Sequence, residues 1–276
     1  MQNIELPLGK YSEYKDQYDN NLLVRIPRSL ARNELNLPAI LPFNGYDIWS
    51  CYEASWLNIK GKPVVRILRF IVAADSEYIL ESKSVKLYLN SLNGTRFASE
   101  AEVLKALEKD LSWAANSKVS VDSYEINSLI NAPLTIFDGT NIDDLDAEIS
   151  EYQVNPNLLE LSAMDEIVEE TLYSNLLKSN CLVTNQQDWA SVQIKYKGKK
   201  INHESLLKYL ISFRNHNEFH EQCIENIFND IRQRCMPLEL TVYAKYTRRG
   251  GIDISPYRTN LNLEDVKINM SRDVRQ

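Results

Sequence analysis

Hydrophobic and polar positions alternate with a period of two in several stretches of the chain and with a helical period in others. From Tyr46 to Ala74, aromatic and β-branched residues dominate, and Lys60-Gly61-Lys62-Pro63 interrupts them, which predicts two strands joined by a turn. Glu81 to Leu92 reads as a helix. A second helix starts after Phe97. Ser99 is its candidate cap, Glu102 stands three residues on as in a capping box, and Val103, Leu104, Leu107 and Leu111 keep the helical period. Val119 to Ile126 reads as a strand. Further on, Glu169 to Lys178 suits a strand, and Ala190, Val192, Ile194 and Tyr196 alternate with polar residues as a half-buried strand does. Lys197-Gly198-Lys199 is expected to turn the chain. Helices follow over His203 to Phe213 and Glu221 to Cys235, then a strand from Leu238 to Tyr246.

The order strand, strand, helix, helix, strand therefore occurs twice. Lys86-Leu-Tyr-Leu-Asn-Ser-Leu92 resembles Leu207-Lys-Tyr-Leu-Ile-Ser-Phe213, and Phe97-Ala-Ser-Glu100 takes the place of Phe219-His-Glu-Gln222 between the two helices. The expected organisation is an extended arm over 1–43, a first half over 44–136, an acidic linker over 137–160 and a second half over 161–276. Asp138, Asp143, Asp144, Asp146, Glu148 and Glu151 mark the linker.

With 276 residues and 44% hydrophobic content, the chain can bury a sizeable core. The net charge of −7 disfavours broad nucleic-acid binding, since phosphate contacts need clustered Lys and Arg. No run of about 18 apolar residues is present, so no membrane span is expected. The start, Met1-Gln-Asn-Ile-Glu-Leu, lacks a basic and then apolar pattern, and the expected location is the cytoplasm. Cys51, Cys181, Cys223 and Cys235 form no CxxC pair and are expected to be free thiols.

Four short runs could carry chemistry. In Ser179-Asn-Cys181-Leu-Val-Thr-Asn-Gln-Gln-Asp188-Trp189, a thiol and a carboxyl flank a polar turn, a nucleophile beside a proton source. Taken alone, a small buried cysteine and a turn aspartate account for it more simply. Glu218-Phe219-His220-Glu221 precedes a helix, where Glu221 suits the first turn. Its carboxylate could also hold the N–H edge of a purine-like ring, with Phe219 stacking and His220 bonding a carbonyl. Glu81-Ser82-Lys83-Ser84-Val85-Lys86-Leu87-Tyr88 opens a helix; its start is either a solvated first turn or, with two lysines and two serines, a place to hold a phosphate. Arg248-Arg249-Gly250-Gly251 is either a plain hairpin turn or an anion cradle. No GxGxxG is present, so a Rossmann site is not expected. His220 and Cys223 have metal-ligand spacing without a third ligand nearby, and no metal is expected.

Together these runs resemble the NADPH-dependent 7-cyano-7-deazaguanine reductases, the QueF nitrile reductases. The matching blocks are Glu81-Ser-Lys-Ser-Val-Lys-Leu-Tyr88, Cys181 to Trp189, Glu218-Phe-His-Glu-Gln222 and Tyr246-Thr-Arg-Arg249-Gly250-Gly251-Ile-Asp253. The resemblance is to the long, internally duplicated form. It departs at Gln187, where the family has proline, which puts the stiffness of the turn carrying Asp188 in doubt.

The resemblance implies an α+β chain of two tandem tunnelling-fold halves, each an antiparallel sheet with two helices on one face. It implies reduction of a nitrile to an aminomethyl group in queuosine biosynthesis, with Cys181 forming a thioimide and Asp188 giving a proton. It assigns Leu80, Glu81, Ser82, Phe219, His220 and Glu221 to the substrate, and Ser82, Lys83, Arg249 and Gly250 to NADPH. A homodimer is implied, with no direct nucleic-acid or membrane partner. The competing expectations are a zinc-dependent cyclohydrolase-type relative and a non-catalytic binding protein.

Overall fold

A computed structural model describes residues 14–129 and 132–276. The chain is mixed α+β and separates into two compact units. The first comprises the described residues through Asn33 with Asp47–Pro133 and Arg248–Ile254. The second comprises Glu34–Tyr46, Leu134–Thr247 and Ser255–Gln276. This division differs from the expected run of successive segments: 248–254 belongs to the first unit and 34–46 to the second.

In the first unit, β1 (Arg25–Pro27) and the short helix α1 (Ser29–Glu34) lie within the arm, and the part of the arm before Tyr14, including Tyr11, lies outside the described residues. Strands β2 (Asn44–Leu57) and β3 (Pro63–Ala73) are joined by the expected turn. Asn58 Oδ1 accepts from the N–H groups of Lys60 and Lys62, both at 3.0 Å, and Gly61 takes φ +80°, a conformation that costs glycine little. β4 (Tyr78–Leu80) pairs antiparallel with β1 and leads into helix α2 (Ser82–Ser91). Helix α3 (Glu100–Ala115) begins at Ser99, whose hydroxyl accepts from Glu102 N–H at 3.2 Å, while the Glu102 carboxylate accepts from Ala98 N–H at 2.8 Å. The capping box thus forms, shifted by one residue on its return bond. β5 (Ser120–Tyr124) runs antiparallel to β3.

The apolar faces of these elements close on one core in which Trp49 stacks on Phe70 at 5.3 Å, with Trp56, Val85, Leu107 and Leu111 packed around them. Each such side chain contributes about 1.5–3 kcal/mol through its burial. Asp110 on α3 accepts from Tyr88 Oη at 2.7 Å and from the arm's Tyr18 Oη at 2.6 Å.

In the second unit, β6 (Thr140–Asn141) lies parallel to β7 (Ile167–Asn180). β7 and β8 (Gln187–Lys199) form a long antiparallel hairpin with a bulge between Ser174 and Leu177. The stretch 137–160 is tied to this hairpin. Phe137, Ile142 and Leu159 are buried, and Asp143 accepts from Ser174 Oγ at 2.6 Å and from Asn175 N–H at 3.0 Å. Asp138, Asp144, Asp146 and Glu148 are exposed, so the stretch is acidic and open to water but anchored through its buried residues and Asp143. β8 also runs on through the predicted turn to Lys199, because Gly198 lets Pro237 approach: a Cβ there would lie 2.9 Å from the Pro237 Cα.

Helices α4 (His203–Ser212) and α5 (His220–Cys235) follow, then β9 (Glu239–Tyr246) and β10 (Ile252–Thr259), the last of which was not foreseen. Strands β8, β9 and β10 are antiparallel neighbours. α5 is buried along Cys223, Ile224, Ile227, Phe228 and Ile231. Among the described residues, no helix is long and apolar enough to cross a membrane.

Candidate active site

The end of the β7–β8 hairpin sets Cys181 and Asp188. Ser179 faces Asp188 and Asn180 faces Gln187 in the ladder, and Cys181 opens the turn beyond. Its N–H donates to Gln186 O at 2.8 Å, and its carbonyl accepts from Asn185 N–H at 3.0 Å. Asn185 takes φ +55°, which asparagine tolerates better than most residues. The turn is therefore closed by backbone bonds although Gln187 stands where proline was expected. The Cys181 side chain is 8% exposed and that of Asp188 is 3% exposed, so a thiol and a carboxyl sit at one end of one hairpin, largely out of water.

A second segment is pinned against this turn. Asn180 N–H donates to His216 O at 2.8 Å, and Glu218 N–H donates to Asn180 O at 3.1 Å. The Asn217 side chain accepts from the amide of Asn180 at 3.2 Å and donates to Asn185 Oδ1. One asparagine thus bridges both ends of the Cys181 turn. These bonds fix the start of α5, where His220 is the first helical residue and Glu221 the second. His220 Nε2 stands 3.3 Å from Asp188 Oδ2. Its ring lies on that of Tyr246, the last residue of β9, with centroids 3.8 Å apart and planes within 7°. His220 Nδ1 is buried and meets no hydrogen-bond partner in the protein.

Electrostatically, the region is dry. Burial raises the Glu218 carboxyl, an effect that the His216 imidazole 3.0 Å away opposes. Burial also pushes the Cys223 thiol and the Tyr246 hydroxyl well above their ordinary values. The Lys178 ammonium is lowered by burial and by Arg214, with Asp188 acting the other way. Glu221 is buried in the first turn of α5, and Phe219 caps that helix half-buried.

The remaining expected residues lie in the first unit. Leu80 is buried at the end of β4. Glu81 is the N-cap of α2: its two carboxylate oxygens accept from Lys83 N–H at 2.8 Å and Ser84 N–H at 2.7 Å. Burial raises its pKa, against those two bonds and the charges of Lys86 and Lys83. Each oxygen keeps a further lone pair, so capping does not exhaust the carboxylate. Ser82 and Lys83 form the first turn of α2.

Also in this unit is a cavity of about 170 Å³ lined by Cys51, Glu53, Lys86, Asn90, Gly250 and Gly251. Gly250 and Gly251 take φ +56° and +73°. A Cβ on Gly250 would lie 3.2 Å from Lys86 Cδ, and one on Gly251 only 2.4 Å from Glu53 Cδ. Arg249 anchors the turn through its N–H to Ile252 O at 2.9 Å.

Of the expected residues, Asp188 and His220 are in contact, Cys181 lies in the turn at the end of the hairpin that carries Asp188, and Gly250 lines the cavity. Tyr246 and Asn217 were not singled out for a role, although Tyr246 lies inside a matched block. Their positions depend on contacts between distant parts of the chain, which no local pattern encodes.

The family described as "Nitrile reductase, 7-cyano-7-deazaguanine-reductase N-term" matches residues 14–123, and that described as "QueF-like protein" matches 187–264. A protein of Cupriavidus necator named NADPH-dependent 7-cyano-7-deazaguanine reductase is 54% identical over 258 residues, 93% of either chain. A crystal structure of the archaeosine synthase QueF-Like in the apo form is 16% identical and covers 36% of this chain and 95% of its own, with a TM-score of 0.30. The motifs and the extent of the match to the Cupriavidus protein lead to one conclusion: this chain belongs to the 7-cyano-7-deazaguanine reductase family.

Proposed function

We propose that this protein reduces the nitrile of 7-cyano-7-deazaguanine to an aminomethyl group with NADPH. The carrying observation is that Cys181 and Asp188 share one hairpin end, with His220 against the carboxyl. A nitrile carbon is electrophilic and its nitrogen becomes basic once the carbon is attacked. As a thiolate, Cys181 Sγ bonds to that carbon while Asp188 gives its proton to the nitrogen, leaving a thioimide and a carboxylate. When bound, NADPH would supply the hydrides. The C–S bond breaks during the reduction, and sulfur leaves as the thiolate it began as.

Glu221 accepts from the N–H groups of the deazaguanine ring, with Phe219 and His220 beside it. Leu80, Glu81 and Ser82 are assigned to the same ligand. The first unit fits an anionic dinucleotide: the glycines at 250 and 251 lie where side chains would collide, next to Lys86 and the Arg249 turn. Ser82, Lys83, Arg249 and Gly250 would hold it, the two cations supplying charge for its phosphates.

Two tunnelling-fold halves are part of this reading. Matched details support an internal duplication. α2 and α4 have ten residues each, and α3 and α5 have sixteen. Tyr88 donates to Asp110 as Tyr209 donates to Asp230, and Ser91 Oγ bonds Tyr88 O as Ser212 Oγ bonds Tyr209 O, both at 2.6 Å. A cytoplasmic homodimer serving tRNA modification completes the proposal.

The test is to mix protein and nitrile without NADPH and follow the absorbance of a covalent adduct. The wild type forms it and Cys181→Ala does not. An adduct in the alanine variant, or none in the wild type, overturns the reading.

A further inference from the structure

The His220–Tyr246 stack has no assigned role. At 3.8 Å and 7°, the two rings are in full face contact. Offset and edge-on geometries are common for aromatic pairs, and the neighbouring Tyr209–Phe213 and Phe213–His216 pairs are edge-on. Tyr246 itself cannot drift. It is wholly buried at the end of β9, paired with Ala190 of β8, and its phenol faces Cys223 and Ser179. The next residue, Thr247, donates its N–H to Trp189 O at 2.8 Å. Trp189 follows Asp188 in β8, so the strand that carries the proton donor also fixes the ring under its partner.

A histidine ring has one broad torsion, χ2, and among the described residues no hydrogen bond holds the far edge of His220, since Nδ1 meets no partner there. If the ring swung about χ2, Nε2 would leave Asp188 Oδ2. We infer that Tyr246 is a positioning residue for the proton-transfer step: its phenol face locks the His220 ring plane, which keeps Nε2 on Asp188 and aims Nδ1 at the ligand. Tyr246 touches no reacting atom in this assignment and acts through His220 alone.

The inference rests on the reductase reading, and the experiment separates the two. Adduct formation by the wild type tests the reaction; ratios among variants test the stack. Single-turnover reduction is measured for Tyr246→Phe, Tyr246→Leu, His220→Ala and the double variant His220→Ala/Tyr246→Leu. Phenylalanine keeps the face and should hold the rate within about threefold. Leucine removes it and should lower the saturated rate by about 10-fold or more, because misplacing a catalytic group by about an ångström has effects of that order. In the His220→Ala background, the leucine change should cost no more than about twofold, because the ring it positions is gone.

An equal loss in both backgrounds overturns the inference and leaves Tyr246 as packing. A phenylalanine variant as slow as leucine overturns it as well, and assigns the work to the hydroxyl. If the leucine variant fails to fold, the phenylalanine arm still decides: a large loss there sinks the stack as the operative feature.

Discussion

Asp188 and His220 stand 3.3 Å apart, carboxyl oxygen to ring nitrogen, with the carboxyl 3% exposed. A buried acid with one oxygen on an imidazole can keep a proton away from water and deliver it in one direction. Asp188→Asn retains the shape but cannot act as an acid. Reduction should fall by about 100-fold or more, while binding of the nitrile changes little. Calorimetric titration followed by single-turnover kinetics separates these effects. Poor binding with a normal saturated rate would assign Asp188 to recognition instead.

The four thiols differ in access. Cys181 is 8% exposed, against 1%, 0% and 3% for Cys51, Cys223 and Cys235, and burial raises all three of the latter. Alkylation with iodoacetamide at neutral pH should therefore mark Cys181 first, with parallel loss of activity, as read by peptide mass spectrometry. Saturation with the nitrile should protect it. First labelling at Cys235 would contradict this ordering.

Replacing Arg249 by alanine should raise the Michaelis constant for NADPH more than that for the nitrile. It removes a guanidinium from the turn whose glycines border the cavity. The same variant should discriminate less between NADPH and NADH. Steady-state kinetics with each cofactor provide the comparison, and an increase confined to the nitrile would reverse the assignment.

A pH effect on stability is expected from Asp230. Burial raises its pKa to about 6, against the bond from Tyr209. The folded state thus holds this proton more tightly than the unfolded chain does. The stabilisation is fully present below the ordinary aspartate range near 3.8 and is lost as pH rises through about 6. Urea midpoints measured between pH 4 and 7 should show this fall in the wild type, and Asp230→Asn should flatten it. Identical pH profiles for the two proteins would exclude the group.

What was legible in the sequence follows the range of the interactions involved. Ser99 and Glu102 announce α3 because capping is local, and Lys60-Gly61-Lys62 announces its turn for the same reason. β10 escaped notice because Pro256 and charged residues interrupt its alternation. All eight of its residues are nevertheless buried, with Arg258 satisfied by Glu225 at 2.9 Å. The acidic count over 137–160 suggests a linker, and it gives no sign that Asp143 is bonded to Ser174 and Asn175 more than thirty residues away. At the site, the thiol, the carboxyl and the histidine could be named from motifs. The face contact with Tyr246 could not, since it depends on how β9 falls beside β8.

Both backbone groups of Cys181 are committed within its turn, and Asn217 ties the two ends of that turn together. Ordering a residue costs about 1–2 kcal/mol of conformational freedom. Here that cost is met when the chain folds, before any ligand arrives. If Cys181 is the nucleophile, as proposed, its backbone has little left to lose on encounter, and only the rotation of the sulfur remains to be fixed when a ligand arrives.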